Sequence, residues 1–140
     1  MGTDESISDV FAYGTFLFPQ IMTAITGREH DGQKAWITNF AAFKVAGDIY
    51  PGIWPLEGVQ TEGILYHNVS KEELEAMDRY EGEEYSRELL PVETEDGEIH
   101  KVWVYVFRAA YKHLLSEIPW RPEMYDEAEI EAYVARLKHH

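Results

Sequence analysis

Two short stretches hold the residue types that chemistry needs. Tyr13-Gly14-Thr15-Phe16 follows directly on the apolar run Val10-Phe11-Ala12. A glycine there lets the backbone approach a ligand, and successive amides form an anion-binding concavity. Downstream, Tyr80-Glu81-Gly82-Glu83-Glu84-Tyr85-Ser86-Arg87 sets a carboxylate, Glu81, at the end of an expected helix. A helix C-terminus carries partial negative charge, which disfavours a carboxylate by a few tenths of a kcal/mol up to ~1. Asp78, Glu83 and Glu84 add like charge nearby, and burial between Tyr80 and Tyr85 pushes in the same direction. Each effect raises the carboxyl pKa toward the range of a general base. The same glutamate also fits a solvated place in an acidic run. Arg87 fits either a substrate carboxylate or a surface bridge to Glu84 or Glu88, and the bridge is the preferred reading.

The elements that must position these groups are legible in outline. Val10 to Tyr13 reads as a buried strand stopped by Gly14. Pro19 suits the first turn of a helix running through Ile25, with Gly27 as its stop; its N-terminus would add positive potential near the loop. Gln33 to Val45 is rich in β-branched and aromatic residues and reads as one or two strands. Tyr50-Pro51-Gly52-Ile53-Trp54-Pro55 reads as a stiff apolar loop, because two prolines remove ladder donors. Val59 to Asn68 alternates as a strand, with Val59, Thr61, Gly63 and Leu65 on one side. Ser70 and Glu73 form a capping box ahead of Leu74, Met77 and Asp78, and Gly82 ends that helix. Glu88–Glu93 and Ile99–Phe107 make a hairpin on Asp96-Gly97. Residues 126–138 read as a last acidic amphipathic helix with Ile130, Tyr133, Val134 and Leu137 on one face.

Together these predict one α+β domain over residues 1–140, built on a small, mostly antiparallel, curved sheet or barrel with flanking helices. A length of 140 residues at 45% apolar content suits a single buried core. With 26 acidic and 12 basic residues the net charge is −14, a field that repels phosphate backbones and argues against nucleic acid as a partner. There is no cysteine, which removes disulfides and thiol nucleophiles. Met1 to Asp9 lacks the apolar run of a signal peptide, and no stretch reaches the ~18 apolar residues of a membrane helix. The expectation is a soluble, cytoplasmic protein. His30, His67, His100 and His113 show no metal-ligand spacing, and no Gly-x-Ser-x-Gly or phosphate loop occurs. Trp54, Trp103 and Trp120 read as core or pocket walls.

The chain resembles the gamma-glutamylcyclotransferase-like superfamily, in particular its plant avirulence-induced-gene-like branch. The matching pieces are Val10 to Phe16, Tyr50-Pro51-Gly52-Ile53, Glu62-Gly63-Ile64-Leu65-Tyr66 and Leu74 through Arg87, in order over about residues 10–107. The resemblance implies a small β-barrel with a cavity at one end and cyclisation of a γ-glutamyl group to 5-oxoproline, with release of an amine or amino acid. It places the catalytic glutamate at Glu81, the substrate cradle at Tyr13, Gly14, Thr15 and Phe16, and Tyr85 in the pocket wall. It calls for no metal and no cofactor, and for a small-molecule γ-glutamyl substrate. Position 16 is Phe where the family usually has Leu, and no basic residue follows closely. A non-catalytic module that binds a small molecule or a protein on the same fold is the alternative.

Overall fold

The computed structural model describes residues 7–138, so Met1–Ser6 and the tail residues His139 and His140 lie outside it. Six strands make one sheet: β1 (Ile7–Ala12), β2 (Gly32–Val45), β3 (Pro51–Ser70), β4 (Tyr85–Thr94), β5 (Ile99–Phe107) and β6 (Leu115–Pro119). Their order is β3-β1-β5-β4-β2-β6, and β2 also pairs with β3. Five strands therefore close into a barrel and β6 extends it outside β2. Every pairing is antiparallel except β1 with β5. Closure pairs the two outer strands of the five-stranded set with each other, while β6 keeps one unpaired edge.

Alternation along the strands sorts side chains into two cores. Phe11, Val102, Val104 and Val106 join Ile37, Ile53, Leu65 and Val92 inside the barrel. Val10, Ala12, Tyr105 and Phe107 point outward, where the helices cover them. Those helices are α1 (Pro19–Thr26), α2 (Lys71–Glu81) and α3 (Glu127–Lys138). α1 starts on Pro19 and stops at Gly27, which takes φ 92°, as the sequence predicts. α2 carries the full capping box: Ser70 accepts from the Glu73 amide at 3.1 Å and Glu73 accepts from the Ser70 amide at 2.8 Å. α3 buries Ile130 and lays Tyr133, Val134 and Leu137 on the outer core. None of the described helices is long and apolar enough to cross a membrane.

One expectation fails. Residues 51–55 are not a loop but the first part of the 20-residue β3, paired with β2 from Lys44 opposite Pro51 to Phe40 opposite Pro55. The prolines are tolerated for positional reasons. Pro51 is the first residue of its strand, and Pro55 lies where the register with β2 shifts between Thr38 and Phe40. This half of β3 pairs with β2 alone, whereas β1 meets β3 only at residues 64–70. At the shift Asn39 and Gly58 both take positive φ, and the Gly58 amide donates to Asn39 Oδ1 at 2.8 Å. Gln33 to Val45 proves to be a single strand bent at that point.

Candidate functional site

Glu81 reaches the site through helical spacing. Leu74, Met77 and Glu81 stand at i, i+3 and i+7, one face of α2. Leu74 and Met77 bury that face against the barrel, each contributing about 1.5–3 kcal/mol. The face therefore carries Glu81 inward to the end of β1. Gly82, at φ 79°, then turns the chain into β4. Glu81 keeps part of its surface in contact with solvent, yet its carboxyl end is densely packed by protein. Burial, and after it the negative charge of Asp78, pushes its pKa up to about 8. The cause at work is mainly desolvation; the like-charge effect expected from the sequence comes from Asp78 and is secondary. No side-chain hydrogen bond holds the Glu81 carboxyl among the described residues.

Facing it is the Tyr13–Phe16 segment. Glu81, Tyr13, Gly14, Thr15 and Phe16 line one small pocket together with Tyr50, Pro51 and Tyr105. A 3-10 turn over Thr15–Leu17 is tied by the Leu17 amide to Gly14 O at 2.8 Å and the Phe18 amide to Thr15 O at 3.0 Å. The amides of Gly14, Thr15 and Phe16 have no protein acceptor among the described residues, and three such amides in succession are the kind of donors that an anion-binding concavity uses. Gly14 is required here by a close approach: a Cβ on it would lie 2.8 Å from Pro51 Cγ and Cδ. No residue of α1 lines this pocket.

The side chains of the segment are committed to holding it. Tyr13 donates to Tyr105 O at 2.5 Å and accepts from the Ile53 amide at 3.2 Å. Thr15 Oγ1 lies 2.9 Å from the Tyr80 hydroxyl, which lies 2.6 Å from that of Tyr133 on α3. The Phe16 ring packs at 5.1 Å from Tyr80 while its carbonyl accepts from Tyr66 at 2.7 Å. Tyr85 comes beside Glu81 but is not in the pocket wall. Its hydroxyl donates to Pro51 O at 2.6 Å and its ring stands edge-on to Phe107. It fixes the proline that abuts Gly14.

Arg87 bonds neither Glu84 nor Glu88. It donates to both oxygens of Asp78, at 2.8 and 3.1 Å, and stacks 4.2 Å from the Trp103 ring. Neighbours on a strand point to opposite faces, so Arg87 on β4 turns toward α2 and away from Glu88. Asp78 Oδ1 also accepts from Tyr105 at 2.6 Å. Tyr105, Tyr50 and the Asp78–Arg87 pair are the site groups that sequence reasoning missed. The one local signal was the three-residue step from Asp78 to Glu81 on the same helix.

The pocket is narrow, with a cavity volume of about 10 Å³, room for about one water. A far larger cavity of about 820 Å³ lies over β2 and β3 and shares only Tyr13 with it. Trp120 is in its wall, as expected of a tryptophan here. The smaller site is the one with chemistry: an unpaired carboxyl of raised pKa opposite free amides. Such an arrangement takes up and returns a proton while the amides hold a carbonyl oxygen.

A sequence model of the family described as gamma-glutamyl cyclotransferase, AIG2-like, matches residues 10–132, and the chain belongs to that family. AIG2-like protein A of Arabidopsis thaliana is 32% identical over 91 residues, covering 65% of this chain and 55% of that protein. AIG2-like protein C of the same plant is 29% identical over 109 residues, covering 77% and 63%. The chain thus spans little more than half the length of the first of these relatives and under two thirds of the second. The solution structure of an Arabidopsis thaliana protein superposes with a TM-score of 0.72 at 26% identity, over 99% of this chain and 84% of that one. A solved gamma-glutamyl cyclotransferase, 15% identical, shares the fold with a TM-score of 0.67 over 93% and 99% of the two chains.

Proposed function

We propose that this protein is a γ-glutamyl cyclotransferase that converts a γ-glutamyl amine or amino acid to 5-oxoproline and a free amine, with Glu81 as general acid/base. The observation that supports it most is the placement of a carboxyl with a pKa of about 8 across one pocket from the unbonded amides of Gly14 to Phe16. The substrate's α-amine nitrogen attacks its own γ-carbonyl carbon, forming the lactam C–N bond. Glu81 accepts the proton that the α-nitrogen gives up and returns it to the leaving nitrogen as the old C–N bond breaks. The loop amides take the developing charge on the γ-oxygen. Attack is intramolecular, so folding the bound chain into a near-attack shape supplies much of the acceleration. A γ-glutamyl group exceeds the space of one water, so binding displaces pocket walls; Tyr50, partly exposed and next to the turn between β2 and β3, is one wall at the pocket's solvent side.

The reading is tested by 5-oxoproline release from γ-glutamyl amines, γ-glutamyl amino acids and glutathione, wild type beside Glu81→Gln. Wild type is expected to release 5-oxoproline, and the folded variant to lose at least ~10²-fold in rate. A folded wild type that releases nothing from any member of the panel overturns the reading, and an equally active Glu81→Gln overturns the role of Glu81.

A further inference from the structure

Tyr80, the residue before Glu81, touches both halves of the pocket. It is the penultimate residue of α2. Its ring packs 5.1 Å from that of Phe16, and its hydroxyl lies 2.9 Å from Thr15 Oγ1. Thr15 is buried, and its Oγ1 has no other partner among the described residues. The same Tyr80 hydroxyl lies 2.6 Å from that of Tyr133. A phenol both donates and accepts, so Tyr80 serves its two neighbours at once. Burial, above all, holds the Tyr80 phenol well above its ordinary range, so it keeps its proton at neutral pH. Three hydroxyls thus form a chain from α3 through α2 to the substrate cradle.

Glu81 is the last residue of α2, and the ends of helices fray. Whatever fixes Tyr80 therefore also fixes the residue beside it. Neither Tyr80 nor Tyr133 lines the pocket, so neither touches the substrate; both act through Thr15 and Glu81, which do line it. The Tyr133 ring stands edge-on to that of Tyr80 at 6.5 Å and lies 5.4 Å from the Arg136 guanidinium. A phenylalanine would keep both contacts. What the hydroxyl adds is the tie to Tyr80. We propose that Tyr80 and Tyr133 are positioning residues, the hydroxyl chain from α3 setting the separation between the Glu81 carboxyl and the Gly14–Phe16 amides. This makes α3 a working part of the site rather than a cover for the outer core. The role rests on the reaction proposed above, and one arm of its test does not depend on that reaction.

That arm is amide hydrogen exchange of the full chain, read by NMR in wild type, Tyr133→Phe and Tyr80→Phe. The Leu17 and Phe18 amides close the cradle turn onto Gly14 O and Thr15 O, and the β4–β5 ladder amides report global stability. Tyr133→Phe is expected to speed exchange at Leu17 and Phe18 about fivefold, the effect of losing one hydrogen bond, with the ladder unchanged. Tyr80→Phe breaks two bonds and speeds it further. In the kinetic arm, 5-oxoproline release by Tyr133→Phe is expected to show kcat lowered about fivefold with KM unchanged, because the tie sets spacing and adds no uniform binding. In a Tyr80→Phe background the second substitution adds nothing, since the chain is already broken. Wild-type exchange at Leu17 and Phe18 in both variants overturns the proposal, as does full additivity of the two substitutions, the mark of independent packing losses. Faster exchange at these two amides in a protein that releases no 5-oxoproline upholds the tie between α3 and the cradle and removes the reaction alone.

Discussion

A carboxyl whose proton leaves near pH 8 serves as a base only above that pH, which gives Glu81 a kinetic signature. The acid limb of kcat/KM is expected near pH 8 rather than in the ordinary carboxylate range. Asp78 is the second cause of the shift, so Asp78→Asn is expected to move that limb to lower pH; a pH–rate profile of both proteins reads it directly. The same shift has a consequence for stability. Glu81 has its ordinary value of 4.5 in the unfolded chain and about 8 in the fold, so the folded state holds the proton more tightly. The stabilisation is complete below about pH 4.5 and is lost as pH rises through 8. Glu81→Gln stays neutral throughout. It is expected to match wild type in urea-unfolding free energy at about pH 4 and to exceed it at about pH 9 by at least ~1 kcal/mol, a figure discounted because part of the residue borders solvent.

At the scale of elements, the site depends on one contact between the Tyr13–Phe16 segment and the start of β3. Gly14→Ala would set a Cβ 2.8 Å from Pro51, and Pro51 cannot retreat freely because its carbonyl is held by Tyr85. The loop must move instead. The expected outcome is a stability loss of about 1–3 kcal/mol, with a fall in kcat/KM on the order of 10²-fold, since displacing donors by about 1 Å has that effect; denaturation and steady-state kinetics on one preparation check both. This contact also marks where sequence reasoning ran out. α2 was legible because its signals are local: Ser70 and Glu73 are three residues apart and Gly82 follows at once. The β4–β5 hairpin was legible for the same reason in Asp96-Gly97, where Gly97 takes φ 84°. Pro51–Pro55 was not, because whether a proline fits a strand depends on the partner lying opposite, here a bent β2. Glu81 was found as an electrostatic oddity within its own helix. The groups that complete its pocket, Tyr50, Pro51 and Tyr105, come from strands and turns whose meeting is set by barrel closure. Arg87 was sought among its chain neighbours and found its partner on the preceding helix.

For the whole molecule, closure is the feature that everything else leans on, and at Gly63 β3 approaches β1 too closely for any side chain. A Cβ there would run into the carbonyl of Ala12 and lie 2.7 Å from the Phe11 ring, prising β3 from β1 beside the site. Gly63→Ala is expected to destabilise by about 2 kcal/mol or more, within or above the usual range for an overfilled core, and urea unfolding followed by tryptophan fluorescence measures it. The single parallel pairing bears on how the protein is made. Val10 faces Trp103 and Phe11 faces Val104, so the first described strand waits for a partner roughly ninety residues downstream. At ~5–20 residues per second, a ribosome takes roughly 5–20 s to deliver it. During that interval β1 is open along the side that β5 will occupy, and its sticky backbone edge invites pairing with strands of other nascent chains.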